Sequence, residues 1–249
     1  MKKVLIAGES WVNVSTHIKG FDFFMNASYG EGVHKMVESL RDEGYGADYI
    51  PNHEAPRGCP NTKDALDAYG AIILSDIGSN TLLLHPDTFS KSLRTPNRLK
   101  LLREWVINGG AIAMIGGYLT FQGIDGRGRW HGTAVEDVLP VTISPNDDRV
   151  EMPEGFNPVV VAEHPVLEGI PKEWPYFLGY NKLVARADAE VLMTSNTGDP
   201  FLAVREVGRG RTAAFASDCA PHWGSTEFYE WEYYGQFWVQ LIQWLMKQR

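Results

Sequence analysis

Residues 111–123, AIAMIGGYLTFQG, constrain the fold of this chain more than any other stretch. Five apolar residues run without a break and stop at Gly116-Gly117. A short unbroken apolar run fits a strand buried on both faces, as in a parallel sheet covered by helices. The glycine pair permits a sharp turn at its end, because a residue without Cβ reaches positive φ at little cost. In many α/β proteins such a turn, at the carboxyl end of a central strand, carries the nucleophile. Here no Cys or Ser follows directly; Tyr118, Leu119 and Thr120 do.

The same pattern recurs upstream. Residues 4–8, 47–50 and 71–74 read as further strands. Between them, Val33, Met36, Val37 and Leu40 fall at helical spacing in a segment closed by Gly44. Asn61 or Thr62 is placed to cap a short helix reaching Ala68. Leu99, Leu102 and Val106 share one face of a helix over 97–108, ended by Gly109-Gly110. Strands alternating with helices predict an α/β fold: a doubly wound, mostly parallel sheet with helices on both faces. The second half differs. Residues 116–158 are rich in Gly and Pro, with a short helix over 133–139. Residues 159–162, 190–194, 201–207 and 212–217 read as strands, the last two joined by a hairpin at Gly208-Arg209-Gly210. A terminal helix over 227–247 aligns Trp231, Tyr234, Trp238, Leu241, Ile242 and Leu245. With no internal repeat or linker, residues 1–249 read as one domain with a β-rich C-terminal extension.

Charge and cysteine content narrow the function classes. Lys plus Arg is 23 against 31 for Asp plus Glu, a formal net charge of −8. That balance, without a basic cluster, argues against nucleic acid or anionic lipid as the main partner. The only cysteines are Cys59 and Cys219; one disulfide is conceivable, and sparse cysteine suits a reducing compartment equally well. The run before Glu9 is too short for a signal peptide, and no stretch approaches the roughly 18 apolar residues of a membrane span. The expectation is a cytoplasmic protein with no membrane or nucleic-acid partner.

In an open parallel sheet, ligands bind beyond the carboxyl ends of the strands. Four strand runs end in unusual polar loops: Gly8-Glu9-Ser10-Trp11, Ser75 to Asn80, Gly116 to Gly123, and Ser217 to Gly224. Their convergence on one rim predicts a cleft. Glu9, Asp218 and His222 are the candidate catalytic residues. Glu9 ends a buried strand, where burial would raise its pKa and suit it to acid-base work. Ser10, Trp11, Asp76, Gly116, Gly117, Tyr118, Thr120, Gln122, Cys219 and Trp223 are the candidate ligand-binding residues. Cys219, three residues before His222, reads either as a relocated nucleophile or as a small apolar residue packed beneath the turn, the second being the favoured reading. Asp218 and His222 with Glu9 or Asp76 would offer metal donors, but no specific metal motif is present, so neither metal nor cofactor is expected. Phe21, Asp22, Phe23, Phe24 and Tyr29 read as an aromatic-rich loop, suited to stacking on a ligand, to packing on the terminal helix, or to a contact between copies in a homo-oligomer.

GESW near the start, LREWVINGGAIAMIGGYLTFQG in the middle and GRGRTAAFASDCAPHWG before an aromatic terminal helix resemble the class I glutamine amidotransferase-like superfamily. Within it, the chain resembles a branch of unassigned activity related to trehalose-utilisation proteins, as does His164-Pro165-Val166-Leu167-Glu168-Gly169-Ile170. The resemblance implies a flavodoxin-like fold. It also implies a Gly-x-Cys-x-Gly elbow with a later His-x-Glu pair. Tyr118 or a neighbour falls where that Cys should stand; His222 falls near the His, and Trp223 and Gly224 follow where the Glu is due. A phenol with a pKa near 10 does not replace a thiolate. The expectation is a protein that binds or acts on a small polar metabolite, such as a carbohydrate, by hydrolysis or isomerisation rather than by glutaminase chemistry. The competing expectation is a scaffold or regulatory module that kept the fold and lost the chemistry.

Overall fold

The apolar runs form the centre of the molecule. A computed structural model describes residues 3–249. In chain order the strands are β1 (Lys3–Gly8), β2 (Ser10–Lys19), β3 (Asp22–Glu31), β4 (Ala47–Ile50), β5 (Tyr69–Ser75), β6 (Ala111–Ile115), β7 (Val141–Thr142), β8 (Arg149–Phe156), β9 (Val159–Val160), β10 (Phe177–Asn181), β11 (Val184–Ala185), β12 (Glu190–Thr194), β13 (Pro200–Val207) and β14 (Gly210–Phe215). Eight of them form one sheet in the order β4-β1-β5-β6-β14-β13-β12-β9. From β4 to β14 neighbouring strands run parallel. From β14 outward the sheet turns antiparallel through the β13–β14 hairpin. This is the mostly parallel α/β sheet that the alternation predicts, with its β-rich half at one end.

Burial explains why the central runs are continuous. Every residue of β6 and all of β1 beyond Lys3 are buried. Side chains alternate between faces along a strand. Leu5, Ala7, Ile72 and Leu74 meet Leu66, Leu82 and Leu102 from helices on one side. On the other side, helices His34–Asp42 and Tyr234–Leu245 pack together. Asn97 caps the helix Arg98–Ile107 through a bond from Lys100 N, and Thr62 caps Lys63–Asp67 through Ala65 N.

Three elements differ from the sequence reading. Residues 10–31 are not a loop but a long hairpin, β2 paired with β3 over ten residue pairs. A two-residue turn at Gly20-Phe21, with Gly20 at φ 64°, closes it. The chain alternates there, but the hairpin is exposed along most of its length, so no unbroken apolar run announces it. The terminal helix is two pieces: Trp231 turns extended and ends Thr226–Glu230, and Tyr234–Leu245 follows. Trp231 thus falls outside the main helix, while Tyr234, Trp238, Leu241, Ile242 and Leu245 are buried as its core face. Two small antiparallel pairs, β8–β10 and β7–β11, fill the Gly- and Pro-rich stretch and its sequel.

Candidate functional site

The carboxyl ends of β1, β5, β6 and β14 open into a cavity of about 410 Å³ lined by Glu9, Trp11, Asn13, Asp76, Tyr118, Asp218, Pro221 and His222. One residue past β1, Glu9 stands in left-handed backbone at φ 47°; one residue past β5, Asp76 does the same at φ 39°. Non-glycine residues in this region cost on the order of 1–3 kcal/mol each, and such strain concentrates at functional sites. Both residues line the cleft.

Glu9 is almost wholly buried. Its Oε2 accepts from Ser75 Oγ at 2.6 Å. Burial, then the charges of Asp218 and Asp76, push its pKa up to about 8. Asp76 is raised to about 6, by burial first and Asp218 second, although Leu119 N–H donates to its Oδ1 at 2.8 Å. Asp218 Oδ2 meets His222 Nδ1 at 2.5 Å and accepts from Trp223 N–H at 3.1 Å. Burial opposes the charged imidazole, but the bond to Asp218 and the acids around it outweigh burial and raise the His222 pKa. This Asp–His pair spans four residues through a turn around Pro221, not a helix.

Gly117 is what lets the two aspartates approach. A Cβ on it would lie 2.7 Å from Asp76 Oδ1 and 2.8 Å from Asp218 Oδ1, and its φ is +141°. Its N–H donates to Asn181 Oδ1 at 3.0 Å, and Asn181 Nδ2 donates to Asp148 Oδ1 at 2.8 Å. Asp148 also accepts from the N–H groups of Gln122 and Gly123. The turn after β6 is thereby held from the antiparallel half of the molecule. Asn52 ties the other two loops, donating to the carbonyls of Ser10 and Asp76. Asn13, Asn52, Asp148, Glu151 and Asn181 were not singled out from sequence; they lie outside the four loops, and nothing local marks them.

The aromatic wall is built from the same loops. Tyr118 and His222 meet edge to face with ring centroids 4.4 Å apart. Glu151 accepts from Tyr118 Oη and from Trp223 Nε1, each at 3.0 Å, and the Arg149 guanidinium lies over the Tyr118 ring. Of the other candidates, Ser10 accepts from Asn52 N and Gly116 packs against Ala216 and Asn181. Trp223 is buried behind Tyr118. Thr120 is fully buried, and Gln122 turns inward to Pro145 O and His131 N; neither lines the cavity, because the turn that follows Gly117 folds back onto Asp148.

Cys219 does not pair with His222. It is fully buried, its Sγ lies 3.7 Å from Ser75 Oγ, and burial with the neighbouring Glu9 pushes its thiol well above the ordinary range. A thiol held protonated is a poor nucleophile. Asp218 and His222 bind each other, and among the described residues no three or more His, Cys, Asp or Glu side chains are arranged so that they could hold a metal ion.

Comparison with known proteins agrees with this fold. A family profile described as "Putative glutamine amidotransferase" matches residues 3–247. The chain belongs to this glutamine amidotransferase-like family. Two solved structures cover nearly all of it: Cytoplasmic Protein STM3548 from Salmonella typhimurium, 45% identical over 98% of both chains with a TM-score of 0.94, and Cytoplasmic Protein STM1381 from Salmonella typhimurium LT2, 42% identical over 98% of this chain and 99% of that one with a TM-score of 0.93. A more distant likeness, to a "putative gmp synthase subunit a protein" from Thermoplasma acidophilum, has a TM-score of 0.54 at 13% identity over 100% of this chain and 95% of that one, and speaks to fold alone. A search of curated proteins finds no match. No helix among the described residues of this family member is long and apolar enough to cross a membrane.

Proposed function

We propose that the protein binds a small polar metabolite in the strand-end cleft and acts on it by proton transfer, with no cysteine thioester. One observation carries this reading: three carboxyls and one imidazole converge on a single cavity, where burial and the facing aspartates raise the Glu9 pKa to about 8. Glu9 then serves as a general acid. His222, its Nδ1 engaged by Asp218, offers Nε2 to the ligand as the complementary base or donor. Tyr118 follows Gly117 where the elbow nucleophile of the family is expected, and its Oη is committed to Glu151. The chemistry left to such a set is hydrolysis or isomerisation of a bound hydroxyl- or carbonyl-bearing compound.

Charge narrows the ligand further. Carboxyls outnumber the one imidazole around the cavity, and Arg149 is spent on Asp147 and the Tyr118 ring. An anionic ligand would meet repulsion, whereas a neutral polyol or sugar would find acceptors in Asp76 and Asn13 and a ring surface in Trp11. The two Salmonella relatives are named as cytoplasmic, which supports the same compartment here. The reading is tested by calorimetric titration with neutral sugars and polyols beside their phosphate esters, and by turnover of any binder. Neutral compounds are expected to bind and phosphates not to. Glu9→Gln and His222→Ala are expected to lower turnover by about 10²–10⁴. Binding of anions alone, or turnover untouched in both variants, would overturn it.

A further inference from the structure

Among the described residues, strands β2 and β3 pair only with each other and join no other sheet. Directly opposed residues of an antiparallel pair share a face. The register therefore sorts the hairpin into two unlike surfaces. Val12, Val14, Thr16 and Ile18 face the same way as Tyr29, Ala27, Met25 and Phe23. Asn13, Ser15 and His17, with Ser28, Asn26 and Phe24, face the other way, and Trp11 and Asn13 of that second surface line the cleft. The first surface carries no charged side chain from Val12 to the tip.

That surface is uncovered. Its six large apolar side chains, Val12, Val14, Ile18, Phe23, Met25 and Tyr29, are each between 48% and 74% exposed. Together they offer roughly 700 Å², more than the few hundred Å² of an ordinary exposed patch and close to the ~800 Å² per partner of a stable interface. A lone two-stranded hairpin is at best marginally stable in water, so this one needs a cover. We propose that the cover is a second copy of this chain, the two hairpins packing apolar face on apolar face about a two-fold axis. The area matches that of a self-complementary interface, and an uncharged face meets its own copy without like-charge repulsion. A bilayer fits less well: the chain carries a net charge of −8, and Lys19 is the only Lys or Arg in the hairpin.

Light scattering at tens of micromolar protein tests the pairing. Wild type is expected at twice the 27.9 kDa chain mass. Val14→Glu/Met25→Glu, at two exposed positions, is expected at the single-chain mass with unchanged circular dichroism and its dissociation constant raised on the order of 100-fold or more. Thr16→Cys, on the apolar face, is expected to give a disulfide-linked dimer under mild oxidation, and Ser15→Cys, on the polar face, to give none; both native cysteines are buried. A monomeric wild type, a double variant that still dimerises, cross-linking from Ser15→Cys alone, or a monomer that binds phosphatidylcholine vesicles would each overturn the proposal.

Discussion

Replacing Glu9 with Gln keeps the side chain's shape and removes its titration. Burial and the two facing aspartates move this carboxyl from 4.5 to about 8 in the folded protein. Between those two values the folded chain holds a proton that the unfolded chain has released, so stability falls as pH rises across this window. The contribution of Glu9 is whole below about 4.5 and is lost as pH passes 8. At about 1.36 kcal/mol per unit, the full loss is roughly 5 kcal/mol. Relaxation and water entering the open cleft reduce this to on the order of 2 kcal/mol. For a chain of this size each kcal/mol shifts the melting temperature by about 2–4 °C. Melting curves of wild type and Glu9→Gln at pH 5 and pH 9 read the effect directly. The variant is expected to gain on wild type by several degrees between the two. A gap that stays constant with pH, or one that moves in favour of wild type, would refute the argument that Glu9 is held protonated by its surroundings.

Three further outcomes follow from the same geometry. Gly117→Ala forces a Cβ against Asp76 and Asp218 at positive φ and is expected to cost about 2 kcal/mol or more in chemical denaturation; an unchanged midpoint would mean the turn has room to move. Cys219 in the native protein is expected to react with iodoacetamide far more slowly than a free thiol and at a normal rate once unfolded, as its burial and raised pKa require; fast native alkylation at Cys219 would contradict both. Asp218→Asn removes the charge, and with it the charge-assisted bond, that hold the His222 pKa up, so an NMR titration is expected to show a lower His222 value, and an unmoved one would sink the dyad.

The central strands and their helices were legible because each is dictated locally. An unbroken apolar run such as 111–115 has nowhere to go but a two-sided core, and Asn97 and Thr62 cap their helices with their own side chains. The location of the cleft was legible too, since strand ends in a parallel sheet share a rim. The inner wiring was not. Asn181 reaches Gly117 across 64 positions and Asp148 reaches Gln122 across 26, and no periodicity encodes which polar side chain turns inward. Thr120 and Gln122 look like site residues in sequence for the same reason: in an irregular turn, side-chain direction is set by a distant partner. The 10–31 hairpin escaped because its stability comes from outside any core.

The hairpin and the acid are covalent neighbours: β2 begins at the residue after Glu9. Yet Glu9 N–H is bound to Ser75 O, Glu9 O accepts from Gly32 N–H, and Asn52 holds Ser10 through both its carbonyl and its hydroxyl. The root is anchored on both rails, so the Glu9 backbone is held by the central sheet as well as by the hairpin that follows it. The hairpin thus lends Trp11 and Asn13 to the cleft wall while the acid one residue before it keeps its mount on the central sheet, so one stretch of chain serves both the site and the surface beyond it.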